Sequence, residues 1–393
     1  MTFEIEHLTA ADVVPAMEAL ERAFGGAAHP ADTDVEASVV DPTRFYAARD
    51  GEHIVGTAGS FAFSMTVPGG PVPVAGVTWV GVLPTHRRQG VLGSLMARQL
   101  VDLHEEGSAV AALWASEAAI YGRYGYGTAA WQLSLTLPRG AAFTVPVPAG
   151  ALRLEEPGAQ VRAVHARVAA RTSGWTQRDD AWWAYRLHDP EHRREGAAPL
   201  LCVVTDGGYA LYATTVSWTD GVPAGEVRVR EVVAETPAAQ ARLWRYLLDL
   251  DLMGTVRAVV ATDDPLLVSL LAEPRRARAA MSDCLHVRLV DVPAALALRR
   301  YAADLDVVLA VSDRRCPWND GSWRLVGGRE GATCSRTDET PDLELDVADL
   351  GAAYLGGTPL LSRPVHERTT GTLGRASTAF GPLEGAPWAP QVW

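Results

Sequence analysis

At 393 residues the chain is long for one domain, so two or three domains are expected. Apolar residues make up 48% and charged residues 21%, the composition of a soluble globular protein, and a net charge of -12 argues against wholesale nucleic-acid binding. No apolar run approaches the ~20 residues of a membrane helix, and the start, Met1–Ala10, lacks a basic-then-apolar leader, so a cytoplasmic protein without membrane partners is expected. All 35 basic residues are arginine, which is most simply coding bias, and an enzyme that modifies amines would have no lysine of its own to modify. Cys202, Cys284, Cys316 and Cys334 are scattered without metal or disulfide spacing, so no metal is expected.

In chain order, residues 11–24 predict a helix with Ala16, Leu20 and Ala23 on one stripe. Residues 44–50, 53–67 and 72–82 predict strands, with Gly69–Gly70 as a hairpin turn. A helix over 91–104 follows, its Val91, Leu92, Leu95, Met96, Leu100 and Leu103 at near-helical spacing, and then a buried strand over 109–116. The fold class is therefore α/β, with helices layered on a central sheet. The Pro-, Gly- and Ala-rich stretch 137–154 reads as a linker, and a second block runs to about residue 285. Within it, residues 226–252 repeat the strand–turn–helix logic of the first block. Laying Val82–Leu92 on Val233–Leu243 sets Arg87 and Arg88 against Ala238 and Ala239, and Gly90 against Ala241. A third block begins near residue 285, and its tail, "EGAPWAPQVW", holds two prolines and two tryptophans, unlike a frayed terminus.

The stretch with the most chemistry is "VGVLPTHRRQGVLGSLMARQL", residues 80–100. A strand runs into two arginines and a glycine and at once into a helix. Glycine at position 90 permits positive φ and close approach of a ligand to the backbone. The first helix amides lack intrahelical acceptors and sit at the positive end of the dipole. Arg87 and Arg88 add full charge, so a phosphate or pyrophosphate suits the turn. The turn is neither a P-loop nor a dinucleotide fingerprint, since both GKS/GKT and GxGxxG are missing. A solvated turn is the plain alternative.

V-x-V-x-P-x-x-R-R-x-G-V-L resembles the acetyl-CoA motif of the GNAT superfamily of N-acetyltransferases, and "IYGRYGYG" (120–127) resembles that superfamily's second signature. With "PTHRRQGVL", "ASEAAIYGRYGYG", "GYALY", "DVPAAL" and "YLGG", the whole chain is similar to the Eis (enhanced intracellular survival) acetyltransferases of actinobacteria. The resemblance implies tandem GNAT folds, the second degenerate, followed by a sterol-carrier-protein-like domain, with boundaries at 1–145, 146–284 and 285–393. It also implies a homohexamer and acetylation of aminoglycosides.

By the same resemblance, the backbone of Val80, Gly81 and Val82 aligns the pantetheine arm of acetyl-CoA. Arg88, Gln89, Gly90, Val91, Leu92 and Gly93 cradle the pyrophosphate with Arg87 as helper, and Ser116 and Glu117 line the cofactor. Tyr121 protonates the departing thiolate, while Tyr124 and Tyr126 read as packing. The terminal carboxylate, here on Trp393, takes the amine proton. Phe24 and Trp79 occupy aromatic substrate positions. Where the family can show an acid for the substrate's amines, this chain has Gly25, Gly26 and Val392, so His29, Asp32 and Glu36 become candidate substitutes. The expected function is acetyl-CoA-dependent acetylation of primary amines, aminoglycosides first. Protein lysines or polyamines are the alternative acceptors. A non-catalytic ligand-binding module is the alternative of a different class; an intact RRQG turn and Tyr121 argue against it.

Overall fold

In the computed structural model, which describes residues 3–393, the first sheet is built on a long hairpin. Its strands are β1 (Glu4–His7), β2 (Phe45–Asp50), β3 (His53–Val67), β4 (Gly70–Val82), β5 (Val110–Trp114) and β6 (Gly127–Thr128). A seventh strand, Leu285–Leu289, lies between β5 and β6, giving the order β1-β2-β3-β4-β5-(Leu285–Leu289)-β6. All neighbours are antiparallel except β4 and β5. Two helices flank this sheet: α1 (Val13–Ala23), with Val13, Ala16, Met17, Ala19 and Ala23 buried, and α3 (Val91–Glu105). A short helix that the periodicity did not predict, α2 (Pro30–Ala37), lies between α1 and β2. In α3 the predicted stripe is buried except for Leu92, and Gln99 is buried with it.

The second sheet has the order Ala280–Asp283, Trp131–Pro138, Met253–Ala261, Gly225–Ala234, Gly208–Thr215, Leu201–Thr205, Arg153–Leu154. Its Gly225–Ala234 and Met253–Ala261 run parallel, as β4 and β5 do. The stretch 137–154 is thus not a linker from its start: Gln132–Pro138 pairs in register with Thr255–Ala261, and Leu137 is fully buried. A strand from each side is exchanged, because Leu285–Leu289 returns to the first sheet after the second is complete. Inside this second unit Glu231 is buried and accepts from Arg178, Arg186 and Tyr209.

The third sheet (Gly331–Arg336, Gly321–Gly328, Leu305–Ser312, Leu343–Asp346, His366–Glu367) shares one continuous core with the first. Contact is closest where the helix Val347–Ala353 crosses Leu285–Leu289 and β6. A Cβ added at Gly127 would collide with the Ala348 carbonyl, and one at Gly351 with the Val287 carbonyl. Only residues without side chains allow that approach.

Candidate active site

The site begins at a defect in β4. This strand pairs with β5 at Ala75–Ala111, Gly76–Ala112 and Val77–Leu113 alone, although it continues to Val82. Its register against β3 slips between Thr57 and Gly59, and Trp79 sits at φ 53°, uncommon for a bulky residue. The Thr57 hydroxyl donates to the Trp79 carbonyl at 2.6 Å and holds the bulge. A bulge bends its strand and ends regular pairing. Val80, Gly81 and Val82 therefore present an edge without a ladder partner on the β5 side.

Beyond β4, residues 83–90 turn the chain into α3. Arg88 (φ 61°) and Gly90 (φ 91°) are both left-handed, and Gly90 stands at the N-cap, which supplies no side-chain cap. The first amides of α3 are left to the cleft, and a Cβ at Gly90 or Gly93 would meet nothing within 4 Å. Arg88 is exposed and among the described residues makes no hydrogen bond or ion pair. Arg87 is differently placed: it donates to the carbonyls of Ala23 at 2.8 Å and Val82 at 3.3 Å, tying the end of α1 to the end of β4. The Gln89 side chain turns back to the Thr85 carbonyl at 3.0 Å, which leaves only its backbone to face the turn.

A cleft of about 530 Å³ is lined by this turn, by Val80, Gly81 and Val82, by Ser116 and Glu117, and by Ile120 and Tyr121 of the helix α4 (Ala118–Tyr121). A second cleft, about 300 Å³, lies between Phe24, Trp79, Trp114 and Trp393. Phe24, Val80, Ser116 and Tyr121 line both, so the two meet at the tyrosine. Tyr121 is 7% exposed and packs edge-on against Tyr126, with ring centroids 6.0 Å apart. Its hydroxyl makes no hydrogen bond to the described residues. Burial first, and then the charge of Glu117, push that hydroxyl up to about 12. Tyr124 and Tyr126 are buried in the same cluster.

The tail reaches the second cleft by a fixed path. Trp388 packs edge-on against Trp175, the side-chain Oε1 of Gln391 accepts from Arg178 Nε at 2.7 Å, and the Trp393 indole sits 5.0 Å from the Phe63 ring. The Thr78 hydroxyl, on the bent part of β4, donates to the Trp393 main-chain oxygen at 3.1 Å. Phe24, 60% exposed at the end of α1, and Trp79, edge-on against Phe45, complete the walls.

No Asp or Glu lines this second cleft among the described residues. Asp32 and Glu36 do not substitute: Asp32 accepts from His188 and His192 at 2.8 Å and from Arg193 at 2.9 Å, and Glu36 pairs with the same arginine. Burial pushes the Asp32 carboxyl up, and these hydrogen bonds and the arginine outweigh it, leaving it below the usual range. His29, Asp32 and His192 converge within 4.8 Å, but with a guanidinium on the carboxylate the cluster is an ion-paired tie between α2 and residues 188–193.

The second unit shows how the turn is lost. Eight residues separate β4 from α3, but only Glu235 and Thr236 separate Gly225–Ala234 from the helix Pro237–Asp249. Ala238 and Ala239 are thus the first turn of that helix, not counterparts of Arg87 and Arg88. Thr236 Oγ1 accepts from Ala239 N at 3.2 Å, capping the helix from within. The local sequence did not signal Thr57, Thr78 or Trp114, nor Arg315, which reaches the larger cleft from the third block.

Residues 4–129 and 174–289 each match the family of acetyltransferase (GNAT) domains, and residues 292–390 match the sterol carrier protein domain. An uncharacterized N-acetyltransferase of Streptomyces avermitilis is 43% identical, with 95% of each chain covered. N-acetyltransferase Eis of Mycobacterium tuberculosis is 35% identical over 79% of this chain and 77% of its own. The crystal structure of Eis1 from Mycobacterium abscessus superimposes with a TM-score of 0.85 at 32% identity, covering 99% of this chain and 100% of that one. Two GNAT domains, a sterol-carrier-like domain and this degree of identity place the chain in the Eis-type family of GNAT N-acetyltransferases.

Proposed function

We propose that the chain takes its acetyl group from acetyl-CoA and transfers it to a primary amine of a small molecule while both are bound. The observation that carries this reading is the meeting of two clefts, one walled by free helix amides and one by aromatics, at the hydroxyl of Tyr121. The larger cleft fits the donor: the unpaired edge of Val80–Val82 suits an extended amide-bearing arm. The amides of Gly90, Val91, Leu92 and Gly93, with Arg88 and the Gln89 backbone, suit a pyrophosphate. Ser116 and Glu117 flank the passage to Tyr121.

Acetyl-CoA supplies an acyl group on a thiolate leaving group. Tyr121, protonated at neutral pH, gives its proton to the departing sulfur. The carboxylate of Trp393, held by Thr78 across the junction, takes the proton of the attacking amine. None of the four cysteines lines either cleft, so direct transfer is favoured over an acyl-enzyme.

Aminoglycosides are the acceptor class that the resemblance gives. A second class is favoured by the second cleft itself: walls of Phe24, Trp79 and Trp114 without a side-chain carboxylate suit an amine with one charge on an apolar or aromatic body. The units 1–145, 146–284 and 285–393, and a hexamer, belong to this reading. Among the described residues no helix is long and apolar enough to cross a membrane.

The test is thiol release from acetyl-CoA with kanamycin, tobramycin, spermidine, a lysine-containing peptide and tyramine. Release with at least one amine is expected. Tight CoA binding without release on any amine would overturn catalysis in favour of a ligand-binding module. The pattern across the panel separates polycations from monoamines.

A further inference from the structure

The larger cleft carries more positive charge than a pyrophosphate at the start of α3 requires. Its lining also includes Arg123, just past α4, and Arg315, delivered by the third block. Neither has a carboxylate within ion-pair distance among the described residues, and both are exposed. Arg315 is placed, not loose. Its guanidinium lies 5.2 Å from the centre of the Tyr124 ring, and its Nε donates to the Arg123 carbonyl at 3.4 Å.

Asp313 sets the loop that presents it. One carboxylate oxygen accepts from the backbone N–H groups of Arg315 and Cys316, each at 3.1 Å. The other accepts from Arg288 at 2.6 Å and from Asn319 at 2.9 Å. Arg288 and Asp313 have side chains 0% and 2% exposed, and Arg288 lies on the strand Leu285–Leu289 of the first sheet. A buried ion pair therefore fixes the third block's loop against the sheet that bears the cleft.

Two unpaired guanidiniums on the wall of a cleft form a receptor for a phosphate dianion. Given the acetyl-CoA reading above, on which this step rests, the pyrophosphate occupies the amides of α3 and one phosphate of the coenzyme remains. We propose that Arg315, with Arg123, binds the 3′-phosphate at the nucleotide end of coenzyme A. The third domain then completes the donor site of the first, beyond delivering Trp393.

The experiment is calorimetric binding of CoA and of 3′-dephospho-CoA to the full chain and to Arg315→Gln. The intact protein is expected to bind CoA about tenfold more tightly than its dephospho form, as one charge-assisted contact at a partly exposed site gives. Arg315→Gln should lose most of that preference through weaker CoA binding, with the affinity for 3′-dephospho-CoA unchanged; Arg315→Lys should restore part of it. Equal affinities in the intact protein, or a preference that survives Arg315→Gln, would overturn the assignment and leave the acetyl-CoA reading standing. A loss shared equally by both ligands would make Arg315 a packing residue only. Binding of neither ligand to the intact protein would sink both readings together.

Discussion

Replacing Tyr121 by phenylalanine removes one oxygen at the point where the two clefts meet. The ring is 7% exposed and keeps its edge-on contact with Tyr126. Its hydroxyl has no partner among the described residues, so the deletion strands no donor or acceptor, and the change in folding stability should stay within about 0.5 kcal/mol. The chemistry should respond differently. With the hydroxyl pushed up to about 12 by burial and Glu117, roughly one molecule in ten thousand is ionised at pH 8, so the tyrosine is an available proton donor. Losing a positioned general acid costs about 10²–10⁴ in rate, or ~3–5 kcal/mol of barrier. Thiol release at saturating acetyl-CoA, with the best acceptor from the amine panel, should therefore fall by that factor. Calorimetric CoA affinity should stay within about threefold, since the hydroxyl is not used to hold the coenzyme. The intact enzyme should also show no alkaline loss from this group up to about pH 10. A Tyr121→Phe enzyme within about threefold of the parent kcat would refute proton donation, whatever the pH profile.

Two further outcomes are expected. Extending the chain past Trp393 by a short Gly-Ser tag moves the carboxylate from Thr78 and should lower kcat at least about tenfold, leaving CoA affinity intact; full turnover by the tagged protein would remove the carboxylate from the mechanism. Asp264, in the second unit, is raised to about 6, by burial first, against a backbone hydrogen bond from Leu266 and with the charge of Asp263. Its folded value exceeds its unfolded one, so its contribution is fully present below about pH 4 and is lost as pH rises through 6, by up to about 3 kcal/mol. Asp264→Asn keeps an oxygen for the Leu266 N–H and should flatten denaturant midpoints between pH 4.5 and 7; an unchanged slope would show that the carboxyl is not held protonated.

Much of the larger cleft's framework was legible before any coordinates, because it is local. Alternation marked β3 and β4, helical spacing marked α3, and one glycine between them announced a left-handed N-cap with free amides. Motif order placed Tyr121 one helix and one strand later, and the structure brings it, Phe24, Trp79 and Trp393 to one junction. What failed was partner choice. Arg87 and Arg88 look alike in the sequence, yet one ties α1 to β4 while the other stands free. Asp32 and Glu36 were near enough in sequence to serve the acceptor, but residues 188–193 claim them. The apparent match of Ala238 and Ala239 to the arginine pair hid a turn six residues shorter.

Local periodicity determines which residues form a strand or helix and which face is apolar, since both follow from neighbours a few positions apart. It carries no term for which distant strand completes a ladder or which distant charge meets a buried carboxylate. The return of Leu285–Leu289 to the first sheet, the Arg288–Asp313 pair that this return makes possible, and the arrival of Arg315 and Trp393 at the clefts depend on residues far apart in the chain. Those associations are decided by burial and hydrogen-bond satisfaction of the whole fold, and so by tertiary structure alone.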